Sequence, residues 1–154
     1  MRVSVFEVLR PWLEGARGVD LFSGTGCLGI EALSRGAERV LFFDIDRRAI
    51  EAVRKNLDRL GFADRGEALE ADAFTEVERL APADLVFVDP PYDYYVDRPV
   101  EMRQLVERVL GRILPEGRLL LEHRPGEGLG EVTGGKIVDE RRYGGTIVTF
   151  YSRA

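Results

Sequence analysis

Val19-Asp20-Leu21-Phe22-Ser23-Gly24-Thr25-Gly26 decides how this chain is read. The first half is an apolar run broken by one acid, which predicts a short buried strand over residues 19–22. The second half is a glycine loop, and Cys27 to Arg35 then reads as a helix stopped at Gly36. Strand, loop and helix in that order open an alternating α/β fold. Upstream, Val5, Leu9 and Trp12 share one face and predict a helix over residues 3–13. Downstream, residues 40–43 predict a second strand closing on Asp44-Ile45-Asp46. Residues 47–60 predict an amphipathic helix with Ile50, Val53, Leu57 and Leu60 inward and Gly61 as its cap. A third strand over 67–71, a short helix over 74–80 and a fourth strand over 84–88 follow. Pro99 opens a helix over 99–114 with Leu105, Val106, Val109, Leu110 and Ile113 inward, and a fifth strand covers 118–122. Residues 136–142 and 146–151 form two strands joined at Tyr143-Gly144-Gly145, a hairpin signal that adds one antiparallel strand to a mostly parallel sheet.

The 154 residues suit one domain, 1–154, with one core. A net charge of −5 argues against a general nucleic-acid coat but leaves room for a local basic patch. A single cysteine, Cys27, excludes an internal disulfide framework, and a single His123 argues against a transition-metal centre. The apolar runs are too short for a membrane helix, and Met1-Arg2-Val3-Ser4 opens no signal-peptide core. The expectation is a cytoplasmic monomer with no metal and no membrane.

Glycines 24, 26 and 29 spell G-x-G-x-x-G, a pattern shared with dinucleotide-binding loops. Glycine serves wherever backbone must approach a ligand closely. The acid Asp20 separates the two readings. A pyrophosphate would be repelled by it, whereas a ligand carrying an amino group and a sulfonium would be attracted. S-adenosylmethionine has both. Asp44 ends the second strand 20 residues after Gly24 and can take the ribose hydroxyls. Asp46 could do the same or cap the next helix. Asp72 can accept the adenine amino group, with Ala73 or Phe74 beside the ring and Ile45 on its other face. Cys27 reads as a small residue opening a helix, and His123 as a structural side chain at a sheet edge.

A second motif, Asp89-Pro90-Pro91-Tyr92, follows the apolar run Leu85-Val86-Phe87-Val88. An exocyclic amine on a base is a poor nucleophile because its lone pair is delocalised into the ring. The Asp89 carboxylate and the Pro90 carbonyl are two acceptors that can hold such an amine. Pro90 and Pro91 stiffen the loop, and Tyr92 offers a flat face for stacking. A duplex base could not reach this pocket, so the target must be flipped out or unpaired. Residues 93–98 are expected to form a lid, with Tyr94 or Tyr95 as further stacking surface. If the strand order reverses between the first and fourth strands, both motifs meet at the switch point.

At these residues the chain resembles the RsmD-type methyltransferases, the bacterial 16S ribosomal RNA guanine-N2 enzymes. The likeness rests on Asp20 to Gly26, Leu28-Gly29-Ile30-Glu31-Ala32-Leu33-Ser34-Arg35-Gly36-Ala37, the acids Asp44 and Asp46, Asn56-Leu57, Val86 to Tyr92 and Tyr143-Gly144-Gly145-Thr146. The resemblance implies a Rossmann-like class I methyltransferase, a three-layer sandwich with a seven-strand sheet of order 3-2-1-4-5-7-6 and strand 7 antiparallel. It implies S-adenosylmethionine as cofactor and a guanine of small-subunit rRNA, within the subunit or an assembly intermediate, as acceptor. It places Asp20, Gly24 and Gly26 at the methionine end, Asp44 at the ribose, Asp72 at the adenine and Asp89 to Tyr92 at the target amine, with Phe22, Ile45 and Ala73 as further cofactor contacts. Family members usually carry a basic N-terminal hairpin and an Arg-Pro-Thr segment ahead of the helix that starts here at Arg2, and neither stands in these residues.

An adenine-N6 methyltransferase acting on DNA or other RNA would use the same local chemistry. A dinucleotide-binding domain would explain the glycines and Asp44 but not Asp20 or Asp89 to Tyr92. A catalytically idle cofactor-binding module is the fourth reading. Arg2, Arg10, Arg98, Arg124, Arg141 and Arg142 are the candidate RNA contacts.

Overall fold

A computed structural model describes all residues, 1–154. Helix α1 (Arg2–Leu9) continues as a 3-10 turn over Arg10–Trp12 and leads into β1 (Arg17–Asp20). The order is then α2 (Cys27–Ser34), β2 (Arg39–Asp44), α3 (Arg47–Leu60), β3 (Gly66–Glu70), α4 (Ala73–Glu76) and β4 (Ala83–Val88). It ends with α5 (Asp93–Asp97), α6 (Pro99–Leu110), β5 (Ile113–His123), β6 (Gly135–Tyr143) and β7 (Thr146–Arg153). The sheet runs β3-β2-β1-β4-β5-β7-β6. β7 pairs antiparallel with both β5 and β6, and the other pairings are parallel. The expected strand order and the antiparallel seventh strand are therefore both present.

Two apolar layers sandwich the sheet. Leu85 and Phe87 point into a core with residues of α1, α2 and α3. Val86 and Val88, alternate residues of the same strand, point into a core with residues of α4, α5 and α6. β1 lies between β2 and β4, so the chain steps to opposite sides of it and opens a crevice at their carboxyl ends. No helix is long and apolar enough to cross a membrane.

Several boundaries differ from the sequence expectation. β1 stops at Asp20 rather than Phe22. Leu21 still donates to the Phe87 carbonyl at 3.1 Å, and Phe22 turns away into the crevice. Leu60 is exposed, because it lies about 80° around the helix from Ile50, at the margin of the apolar stripe. α6 ends at Leu110, and Ile113 is buried as the first residue of β5. β5 is longer than expected because its pairing with β4 resumes across an irregularity between Ala83 and Leu85. The expected lid over 93–98 is the short helix α5. His123 is structural, but β5 is an interior strand. Its ring nitrogens contact the Thr149 hydroxyl and the Arg124 carbonyl, each at 2.9 Å.

The helix α2 can pack this close to β2 only because Gly29 lacks a side chain. A Cβ there would lie 2.3 Å from the ring of Phe42, which is fully buried and has no room to yield. Gly29→Ala is expected to cost about 1–3 kcal/mol through overpacking, read by urea denaturation. An unchanged midpoint would mean that α2 can move off the sheet.

Candidate active site

Four neighbouring strands end in acids: Asp44 on β2, Asp20 on β1, Asp89 just past β4 and Glu122 near the end of β5. Their chain neighbours Phe43, Val19, Val88 and Leu121 all enter the same core layer. Strand alternation therefore turns the four acids to the opposite side, in one row. They line a cavity of about 560 Å³ together with Phe22, Gly24, Ile45, Asp72, Ala73, Phe74, Pro90, Pro91, Tyr92, Tyr94 and Arg98. That volume suits a ligand of nucleoside size. Gly26, expected at the methionine end, lies outside this lining. Its φ of +94° starts α2, and a Cβ there would press on Ile30, Val53 and Phe42.

Asp20 is almost completely buried. Its Oδ2 accepts the Gly29 N–H at 3.2 Å, and its Oδ1 has no partner. Burial pushes its pKa up to about 7. The Gly29 N–H opposes that rise and the Asp44 charge adds to it. Asp44 accepts the N–H groups of Gly24 (2.9 Å) and Asp46 (2.8 Å), so it ties the glycine loop to the start of α3. Asp46 caps α3 through the Arg48 N–H, and Asp72 caps α4 through the Phe74 N–H. Asp72 also faces the cavity, whereas Asp46 does not.

The Asp89 and Glu122 carboxyls lie close enough to share a proton. Burial raises the Asp89 pKa to about 8, with further contributions from the Glu122 charge and hydrogen bond and from the Asp20 charge. Burial also raises Glu122. A half-buried and a buried carboxyl this close do not both ionise readily, so the pair holds one proton near neutrality. Sequence reasoning passed over Glu122. The available signal was its place at the carboxyl end of a strand predicted next to the Asp89 strand.

Tyr92 is held at its hydroxyl and over one face of its ring. Its hydroxyl meets Thr146 Oγ1 at 3.2 Å, and the Arg124 guanidinium lies 4.4 Å from its ring centre. Tyr94 lines the cavity with Phe22 and Phe74, the three rings standing 6.0 Å apart, and Arg98 lies 4.0 Å from the centre of Phe74. Tyr95 is buried instead, its hydroxyl donating to the Glu122 carbonyl at 2.7 Å. Of the arginines expected to face RNA, Arg2, Arg10, Arg98 and Arg141 are paired with Glu31, Glu7, Glu101 and Asp139. Arg142 donates to the Gly144 carbonyl.

The unpartnered Asp20 oxygen and the row of acids fit a ligand that brings a positive charge and hydrogen-bond donors. The space beside Gly24, at φ +54°, is open, so its backbone is free to meet such a ligand.

A family profile described as "Conserved hypothetical protein 95" matches residues 1–152. A Bacillus subtilis protein named "Putative rRNA methyltransferase YlbH" is 31% identical over 160 residues, covering 99% of this chain and 84% of that protein. "Ribosomal RNA small subunit methyltransferase D" of Haemophilus influenzae is 31% identical over 98 residues. That match takes in 61% of this chain and 51% of the relative, about half its length. Among solved structures, a conserved hypothetical protein of Streptococcus pyogenes superposes with a TM-score of 0.88 at 27% identity, covering 100% of this chain and 96% of that one.

The raised Asp20 pKa makes stability depend on pH. The favourable neutral form is fully present below the unfolded value of 3.8 and is lost as pH rises through about 7. Asp20→Asn, which keeps an oxygen for the Gly29 N–H, is expected to flatten that slope and to be more stable than the parent at pH 8 by about 2–4 kcal/mol. Urea denaturation of both proteins between pH 4 and 8 checks this. A difference that does not vary with pH would contradict the raised pKa.

Proposed function

The chain belongs to the RsmD-type methyltransferase family, and from that premise we propose that it methylates the exocyclic N2 amine of a guanine in small-subunit rRNA. The observation that carries this reading is a single cavity shared by the Asp20–Gly24 loop and the Asp89–Tyr92 loop. Bound in the first half, S-adenosylmethionine supplies an electrophilic methyl on a sulfonium. Asp20 is the counter-charge for its amino group, and the Gly24 backbone approaches the methionine end. Asp44 takes the ribose hydroxyls, while Asp72, Ala73 and Ile45 hold the adenine.

In the second half, the Asp89 carboxyl and the Pro90 carbonyl accept the two hydrogens of the target amine. That aims its lone pair across the cavity and favours in-line attack through positioning. The stiff Pro90-Pro91 pair keeps both acceptors placed before the base arrives. Tyr92 stacks on the base, which must be unpaired or flipped to enter. After attack the amine nitrogen gives up a proton, and the Asp89–Glu122 pair is the nearest carboxyl group to receive it. The cavity is complete within one chain, which supports action as a monomer, and the rRNA acceptor points to the cytoplasm.

Labelled methyl from S-adenosylmethionine is expected in rRNA of unmodified small subunits, as N2-methylguanine after nucleoside digestion. Label only in duplex DNA, as N6-methyladenine, would replace the guanine reading with the adenine one. Asp89→Ala is expected to keep S-adenosylhomocysteine affinity within about twofold and to lower transfer by about 10²–10³. Equal turnover would remove Asp89 from the chemistry. Asp44→Asn is expected to weaken S-adenosylhomocysteine binding by about tenfold in calorimetry. Unchanged affinity would move the ribose contact to another group.

A further inference from the structure

Glu122 takes no part in the donor half of the site, and the motif that holds the amine does not include it. It is nevertheless buried against Asp89 at the floor of the cavity. Val88 and Leu121 are partners in the parallel pairing of β4 with β5, so Asp89 and Glu122 follow them side by side and on the same side of the sheet. The Tyr95 hydroxyl holds the Glu122 carbonyl at 2.7 Å, which fixes the backbone beneath the side chain. The other titratable groups around the pair are Asp20, His123 and Tyr95. None of them donates a hydrogen bond to either carboxyl: Tyr95 reaches the Glu122 backbone, and His123 is held by Thr149 and the Arg124 carbonyl.

We propose that Glu122 is a specificity residue: beside Asp89 it accepts the N1–H of the target purine, and this selects guanine over adenine. The inference rests on the methyl-transfer reading given above. The argument is one of donors and acceptors. With one proton shared between the two carboxyls, their remaining oxygens are acceptors only, and both residues line the cavity. Guanine presents two adjacent donors on its Watson–Crick edge, the N2 amine and N1–H. Adenine presents its N6 amine next to N1, which is an acceptor. Seated with its amine on Asp89 and Pro90, guanine satisfies Glu122, whereas adenine sets a lone pair against a buried carboxyl oxygen. A buried acceptor left facing another acceptor is a strong basis for rejection.

The raised pKa of Asp89 supports this arrangement, because it keeps the shared proton in place through neutral pH. The base-selecting contact thus comes from the strand next to the Asp89 motif. The motif itself offers only amine acceptors, which suit guanine and adenine equally.

2-Aminopurine keeps the N2 amine and lacks both the N1 hydrogen and O6, and the response of the guanine preference to Glu122→Gln separates the N1–H contact from any contact to O6. Short single-stranded RNAs with one purine in an all-uridine context, guanine, 2-aminopurine or adenine, are titrated against the full chain with S-adenosylhomocysteine present. The wild-type protein is expected to bind the guanine RNA roughly ten- to hundredfold tighter than the 2-aminopurine RNA. Glu122→Gln, whose amide can turn a donor toward N1, is expected to bring that ratio to within about threefold. A merely structural role would weaken both RNAs alike and leave the ratio standing, which would overturn the proposal. Equal wild-type affinities, or no purine preference at all, would overturn it without any variant. A Glu122→Gln defect confined to S-adenosylhomocysteine affinity would assign Glu122 to the donor half and equally overturn it. Transfer of labelled methyl by the wild-type protein to small-subunit rRNA is run in parallel. Transfer to guanine with no guanine preference over 2-aminopurine leaves the methyl-transfer reading intact and removes only Glu122. Absence of transfer to any acceptor removes both.

Discussion

A row of carboxyl groups at the ends of four neighbouring strands is the constraint around which this fold is arranged. Asp44, Asp20, Asp89 and Glu122 face one cavity, and two of them carry pKa values raised to about 7 and about 8. Such a row is costly to bury unless donors compensate it. The chain supplies some from its backbone: the N–H groups of Gly24, Gly29 and Asp46 each point at one of these acids. The glycine loop must therefore turn tightly and α2 must start at once behind it, which explains the left-handed Gly24 and Gly26 and the bare Gly29. The uncompensated remainder, above all Asp20 Oδ1, is left for a ligand. The site is unfavourable by itself and favourable with donor-rich partners, a description that fits a cationic sulfonium amino acid and the neutral donor edge of a guanine.

Much of this was legible in the sequence because it is local. Strand, glycine loop and helix follow one another between residues 19 and 36, and Asp46 and Gly61 mark both ends of α3. Asp89 to Tyr92 is a contiguous motif, and its place on the cavity needed only the switch of strand order at β1. What escaped was pairwise. Glu122 follows three leucines and precedes His123, and nothing in that run separates it from an ordinary strand end. Its meaning arises only when β5 lies beside β4. The choice between Tyr94 and Tyr95 was open for a related reason. Residues 93–98 are too few to show a helical period, so which ring faces the core depends on α5 having formed.

The apolar part of the cavity links its two halves. Phe22 comes from the loop after β1, Phe74 from α4 and Tyr94 from α5. The loop after β1, α4 and α5 thus meet in one aromatic contact, braced by Arg98 over Phe74 and Tyr94. Rings at this point keep water from one wall of the cavity. In a drier site each carboxyl hydrogen bond counts for more, and so does each mismatch. The discrimination assigned to Glu122 depends on that dryness, because an unmatched acceptor open to solvent would simply bind water.

The terminal hairpin completes the argument. A purely alternating fold would end at β5 and leave the Tyr92 hydroxyl without its Thr146 partner. Here β6 and β7 return along the sheet, and Thr146, at the turn between them, meets the Tyr92 hydroxyl. Tyr143 on the same turn meets Ser4 of α1, so the hairpin is itself held by the first helix. In the proposed reading, stacking and hydrogen bonding on a target base thereby fall to different supports. Tyr92 is positioned by the antiparallel hairpin and by Arg124, whereas Asp89 and Glu122 are positioned by the parallel pairing of β4 with β5. A base would have to satisfy both at once, and two independently fixed constraints on one planar ring define its orientation more tightly than either motif could alone.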